Sequence, residues 1–182
     1  MKQKRAERIM EALKEMGLRQ MLIVDPMSIY YLTGVYVEPF ERFYALYLRE
    51  DGKHVYFLNK LFTVPEDVGM EKVWYSDTDP AAEIVAGYLD KESPLGVDKD
   101  LKARFLLPLM EMKAAAGFVN SSIAVDRTRG VKDEEEQDKM RTASDINDKA
   151  MAVFKTLIHE GVTERQVADQ MLKIYMDLGA DG

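Results

Sequence analysis

The sequence contains no cysteine. Disulfide scaffolds, zinc ribbons, thiol catalysis and iron–sulfur ligation are therefore excluded, and a reducing, cytoplasmic location is the expectation. Glycine (11) and proline (6) are too sparse for a collagen-like or Gly-rich chain. There are only two histidines, His54 and His159. A metal site needs several convergent donors, so both are read as structural. His54 falls in a strand beside a hairpin turn, and His159 in the last turn of a helix, where a cation suits the dipole. Positive charge is in deficit, with 25 Lys plus Arg against 32 Asp plus Glu and a net charge of −7. A general nucleic-acid binder needs positive potential to displace counterions, so no nucleic-acid partner is expected. No apolar run approaches the ~18 residues of a membrane span. Lys2, Lys4, Arg5 and Arg8 are interleaved with Glu7 and Glu11, and no apolar h-region follows them. The dinucleotide-binding, phosphate-loop and Gly-x-Ser-x-Gly patterns are all absent.

What remains is a chain of 182 residues with an ordinary 47% hydrophobic content, enough for one domain and part of another. Ile9, Leu13 and Met16 give Lys2 to Gly17 a helical face. Met21 to Val24 is a short uninterrupted apolar run, which reads as a buried strand. A short helix is expected over Met27 to Leu32, then a loop from Val35 to Glu41. Arg42–Arg49 and Lys53–Leu58 flank Glu50-Asp51-Gly52, a strong hairpin signal. Further strands are expected at Val73–Tyr75 and Leu95–Val97, and helices over Asp79–Asp90 and Leu101–Ala115, the latter bent at Pro108. Phe118 to Val125 reads as a last extended segment. Beyond it the pattern is helical only. One long helix is expected from Asp133 to Glu160, with Met140, Ala143, Ile146, Ala150, Phe154, Leu157 and Ile158 on one side. Thr163 and Gln166 form a capping box for a final helix with the stripe Val167, Met171, Ile174, Leu178. Two amphipathic helices with no sheet of their own imply a chain cut inside a second domain.

Candidate chemistry is sparse. Asp98 and Asp100, and Asp77 and Asp79, could pair for metal or acid–base work. They follow strands and precede helices, however, where Asp serves as a cap. Asp133 to Glu136 reads as a solvated helix start. Ser121-Ser122 has no histidine nearby in sequence and is assigned no nucleophilic role. The segment Val35 to Phe43 stands out, because Tyr36, Glu38, Phe40 and Arg42 mix aromatic and charged groups on a loop, as contact surfaces do. These four form the candidate substrate-cover or dimer loop. The alternative is local packing with solvent-facing side chains.

Several segments resemble one family. Asp25-Pro26 followed by Ile29-Tyr30-Tyr31-Leu32-Thr33-Gly34 resembles the stretch after the first strand of creatinase-type N-terminal domains, and Leu95-Gly96-Val97-Asp98 a second signature of that domain. Arg129-Gly130-Val131-Lys132 with the acidic run Asp133 to Glu136, Met140-Arg141-Thr142-Ala143, and Glu160-Gly161-Val162-Thr163-Glu164 resemble the entry to the catalytic domain. The sequence is thereby identified as similar to Xaa-Pro dipeptidases (prolidases) and Xaa-Pro aminopeptidases, relatives of creatinase. The resemblance implies an α/β fold, a mixed β-sheet with helices on both faces (ribonuclease H-like), followed by a two-helix C-terminal segment. It implies a creatinase/prolidase N-terminal domain over 1–128, and over 129–182 a linker and the first two helices of a pita-bread catalytic domain. In the family two divalent metal ions, for which manganese, cobalt or zinc are expected, are held by two Asp, one His and two Glu that follow these helices. No catalytic, cofactor-binding or metal-binding residue is therefore assigned to this chain. A homodimer, a proline-containing peptide substrate for the parent protein, and loops of the N-terminal domain reaching over the partner's active site are implied by the same resemblance. A self-standing, non-catalytic oligomerisation module is the alternative reading. A ribonuclease H-like nuclease is disfavoured by the acidic charge.

Overall fold

Strand residues that alternate between two apolar faces need cover on both sides, and the sheet is built that way. The computed structural model describes residues 1–181. Its strands are β1 (Gln20–Ile23), β2 (Ala45–Arg49), β3 (Val55–Asn59), β4 (Glu71–Tyr75), β5 (Leu95–Val97) and β6 (Phe118–Asn120), joined in the order β4-β3-β2-β1-β5-β6. The helices are α1 (Gln3–Glu15), α2 (Pro26–Thr33), α3 (Ala81–Ala86), α4 (Ala103–Glu111), α5 (Ser122–Gly130), α6 (Glu134–Leu157) and α7 (Glu164–Asp177). The chain divides into two compact units, Met1–Gly130 and a second beginning at Val131.

In the first unit the period of two along each strand divides the core. Met21, Ile23, Leu46, Leu48, Tyr56 and Leu58 face α1, α2 and α5, where Ile9, Leu13, Ile29, Leu32, Ala124 and Val125 are buried against them. Leu22, Ala45, Tyr47, Val55 and Phe57 face the other way, with Val85 and Ala86 of α3 and Leu109 of α4. Each fully buried side chain of this size stabilises by roughly 1.5–3 kcal/mol. A one-residue slip in any central strand would exchange both sets at once. The mixed sheet with helices on both faces is thus as expected, and so is the hairpin. β2 pairs antiparallel with β3 across Asp51-Gly52, and Gly52 takes φ 75 at the turn.

The motif around α2 has a local physical cause. The Asp25 side chain accepts from the backbone N–H of Met27 and Ser28, Pro26 opens the helix, and Gly34 ends it at φ 76 with its N–H on the Tyr30 carbonyl.

Four expectations are corrected. Ser122–Gly130 is helix α5, so the segment expected to be extended through Val125 ends at Asn120. Ile123 and Val125 suggest a strand, but Ala124, Val125 and Thr128 are buried on the α1 side of the core, and that packing outweighs propensity. Helix α3 stops at Ala86, not Asp90. Gly87 follows it, and Gln20 Nε2 donates to the carbonyls of Asp90 and Ser93 at 2.7 and 3.0 Å, turning the chain towards β5. β2 starts at Ala45 rather than Arg42, since the Arg42 N–H donates to the Pro39 carbonyl and the Phe43 carbonyl accepts from the Tyr75 hydroxyl. His159 lies just beyond α6, its Nδ1 3.0 Å from the Glu160 carbonyl oxygen.

In the second unit both helices open with a capping box, Asp133 with Glu136 and Thr163 with Gln166. Ile146, Phe154, Leu157, Val167, Met171, Ile174 and Leu178 are half-buried, whereas Ala150 is buried. Two antiparallel helices can cover only one side of each other. Met140, Ile158, Leu172 and Met176 remain between 53% and 60% exposed.

Candidate functional site

Strand direction defines one special edge of the first unit. β2 alone runs against the others, because β1 pairs parallel with β5, β5 with β6, and β3 with β4. The carboxyl ends of five strands therefore meet at one edge, bringing Asp25, Asn59, Asp77, Asp98 and Ser121 to it. The start of β2, and with it the segment 35–44, lies on the same edge. Open α/β sheets take their ligands outside this edge.

The loop is held from several directions. Arg42 donates through Nε to Asp77 Oδ1 and through Nη2 to Asp77 Oδ2, both at 2.9 Å, and its Nη1 lies 3.1 Å from Glu41. Such two-pronged pairing is the strongest geometry an arginine offers. Asp77 is itself seated by Asn59, a fully buried residue ending β3, whose Nδ2 donates to Asp77 Oδ1 at 2.7 Å. The hydrogen bonds and charge of Arg42 hold the Asp77 carboxyl below its usual range, and Asp77 in turn raises Arg42. Tyr75 donates its hydroxyl to the Phe43 carbonyl, and Lys102 Nζ donates to the Phe40 carbonyl at 2.6 Å. Within the loop, Val37 turns its side chain into the core.

Of the four candidate residues, three present their side chains to solvent. Tyr36 is 53% and Phe40 68% exposed. The Tyr36 hydroxyl donates to Glu38 Oε2 at 2.9 Å, and that carboxylate pushes the tyrosine hydroxyl up. Tyr30 meets Tyr36 edge to face, with ring centroids 6.4 Å apart. Arg42 differs, because its guanidinium is directed at Asp77 and Glu41 and anchors the loop. A cleft of about 670 Å³ opens on one side of the anchor, floored by Phe43, Tyr75, Phe105 and Met112. A hollow of about 220 Å³ lies on the other, between Phe40, Pro26 and Leu101.

The remaining carboxylates at this edge are structural. Asp98 accepts from the backbone N–H of Val24, Asp25 and Asp100, each at 3.2 Å, and from Ser122 Oγ at 3.1 Å. Its oxygens fill the crevice between β1 and β5. Asp79 accepts from Ser76 N–H and Oγ, closing the turn before α3. His54 is buried with its Nδ1 accepting from the Arg49 N–H at 3.2 Å, and burial pushes its pKa down. Among the described residues no three His, Asp or Glu side chains converge to hold a metal ion. These residues do not supply the donor set of a two-metal centre, and no catalytic step follows from them. No described helix is long and apolar enough to cross a membrane.

Asn59, Tyr75 and Lys102 escape a reading by sequence alone, since they lie 18 to 62 residues from their loop or Asp77 partners. The one local hint is an asparagine closing an otherwise apolar strand, a residue depleted from strands and costly to bury without partners.

Residues 5–131 match the profile of the creatinase/prolidase N-terminal domain. An uncharacterized peptidase of Staphylococcus aureus is 34% identical over 167 residues, covering 84% of this chain and 45% of the relative. Among solved structures, the dipeptidase PepE of Mycobacterium ulcerans superposes with a TM-score of 0.81 at 24% identity, over 98% of this chain and 50% of that one. A prolidase from Thermococcus sibiricus gives 0.83 at 22% identity, over 100% and 51%. The N-terminal domain of an X-Pro dipeptidase from Streptococcus pyogenes gives 0.57 at 21% identity, over 69% of this chain and 98% of that one. The chain thus spans about half the length of the relatives it matches. With the two-sided mixed sheet, the capped Asp25-Pro26 helix and a domain match running from α1 through α5, this chain belongs to the creatinase/prolidase N-terminal domain family.

Proposed function

We propose that this chain is the N-terminal, non-catalytic portion of a metal-dependent Xaa-Pro dipeptidase or aminopeptidase. The observation that carries the reading is the domain match over residues 5–131 in a chain spanning half of its peptidase relatives. In this reading residues 1–128 are the N-terminal domain, and 129–182 lead into the catalytic domain and form its first two helices. The open apolar faces of α6 and α7 support that assignment, since such faces call for further structure to cover them. Residues 36–42 serve as the loop that covers a substrate or meets a second copy of the chain. Two divalent ions (manganese, cobalt or zinc) belong to the whole enzyme and not to the residues described. The whole protein acts as a cytoplasmic homodimer on proline-containing peptides.

The test compares the 182-residue chain with the full-length protein on Xaa-Pro dipeptides, with added manganese, cobalt or zinc. Hydrolysis by the full-length protein and none by the 182-residue chain is expected. Turnover by the short chain above a metal-only blank, surviving repurification, would contradict the non-catalytic role. An inactive full-length protein would contradict the peptidase reading itself.

A further inference from the structure

The exposed aromatic at the tip of the loop sits on an unfavourable backbone. Phe40 has φ 53, in the left-handed region that bulky L-residues rarely adopt, and its ring is 68% exposed. Burial of that ring gives the fold little in return for the strain. The conformation is imposed from outside the loop. Lys102 holds the Phe40 carbonyl from the start of α4, and Tyr75 holds the Phe43 carbonyl from β4. Two residues beyond Phe40, the Arg42 guanidinium is gripped on two prongs by Asp77, and buried Asn59 fixes that carboxylate in turn. Neither Asn59 nor Asp77 reaches the loop tip, yet both decide where it stands. Strain persists only where the surroundings over-determine it, and such places concentrate at functional contacts.

We infer that Asp77, seated by Asn59, is a positioning residue that locks the loop with Phe40 already presented as the contact group for a proline-containing peptide. The inference rests on the function proposed above. An aromatic face is well suited to an apolar proline ring, and the approach is open, since the ring projects beside a hollow of about 220 Å³. Locking the loop in advance removes an ordering cost from binding. Loosening the lock lowers the fraction of molecules in the competent conformation and weakens apparent affinity in proportion.

The full-length protein carrying Asp77→Asn or Phe40→Gly, assayed on alanylproline with manganese alongside thermal denaturation, tests this. A competent fraction reduced to about a tenth raises KM about tenfold. Asp77→Asn should do so with kcat within about twofold and with Tm lowered by a few degrees, since the lock itself contributes to stability. Asp77→Glu should recover part of the loss. Phe40→Gly should raise KM while Tm holds or increases, since glycine accepts a positive φ without strain. Phe40→Trp should keep KM near the unsubstituted value. A loss of function accompanied by a gain in stability is a pattern that a merely structural role does not produce. If Asp77→Asn fails to fold, the milder Asp77→Glu takes its place, with a smaller rise in KM expected. An active enzyme whose KM is unmoved by either substitution, or in which Phe40→Gly raises KM only as Tm falls, overturns the inference and leaves the proposed function standing. A full-length protein that hydrolyses no Xaa-Pro peptide overturns both.

Discussion

Gly96 shows how tightly one position is specified. It lies in β5 between β1 and β6, and a methyl group added there would land on Ser121 Oγ, 3.1 Å from Ser121 Cβ and 3.2 Å from the Gln20 carbonyl oxygen. The backbone oxygen cannot move without breaking sheet pairing. Gly96→Ala is expected to destabilise by about 1–3 kcal/mol, as overpacking does. The Ser121 hydroxyl is buried and has no hydrogen-bond partner, so Ser121→Ala alone should be close to neutral. Combined with Gly96→Ala it should recover part of the loss, and denaturant titration of the four proteins measures that coupling. Strict additivity would show that the two side chains do not compete for one space. His54 gives the pH-dependent counterpart. Burial lowers its pKa below the ordinary 6.5, so the unfolded chain binds the proton more readily. Stability from this residue is complete above about 6.5 and is lost as pH falls towards the folded-state value. Between pH 7 and 5 the unsubstituted chain should therefore lose more stability than His54→Gln. Parallel pH profiles would show that the imidazole is not what titrates.

At the scale of elements, the second unit is the informative case. Its two helices are well started by capping boxes, each worth about 1 kcal/mol at the cap residue. Val167, Met171, Ile174 and Leu178 of one expected stripe and Ile146, Ala150, Phe154 and Leu157 of the other are buried or half-buried, whereas Met140, Ala143 and Ile158 are exposed. The packing stops there, because α7 has no fully buried residue and α6 only Ala150. Leu172 and Met176, one turn apart on α7, are 53% and 60% exposed. Faces of this kind drive association, and two-fold closure is the commonest outcome. The 182-residue chain is expected to be a dimer by light scattering, and Leu172→Glu with Met176→Glu to return it to a monomer with unchanged helicity. Such exposed substitutions cost under about 0.5 kcal/mol of folding stability. Equal masses for the two proteins would show that α7 does not carry the contact. Helix α5 teaches the opposite lesson, since its weakly amphipathic sequence is helical because the core beside α1 receives Ala124 and Val125.

For the molecule as a whole, chain direction matters more than any single residue. With β2 the sole reversed strand, one edge of the sheet gathers five carboxyl ends and the loop that precedes β2. At the crevice between β1 and β5, where the strand order turns and a bound ligand would be expected, the Asp98 carboxylate already accepts four donors. The Asp98 carboxylate thus ties the ends of β1 and β5 to the start of α5, while the loop beside it is held separately by Asp77, Tyr75 and Lys102.

The sequence by itself determined the absence of thiol chemistry, the alternation of strands and helices, the Asp51-Gly52 hairpin, the Asp25-Pro26 to Gly34 helix and the capped helices after Lys132. All of these depend on periodicity, turn chemistry and caps, which act over a few residues. Tyr36, Glu38, Phe40 and Arg42 stood out as a mixed aromatic and charged loop for the same local reason. Only the tertiary structure decided that Arg42 is an anchor, that Asp77 bridges to the loop rather than capping a helix, and that Asn59 and Lys102 belong to the same assembly. Those pairings span 18 to 62 residues. They exist because strand order and direction bring separate strand ends to one edge, and no local pattern encodes which side chains will then lie within hydrogen-bonding distance.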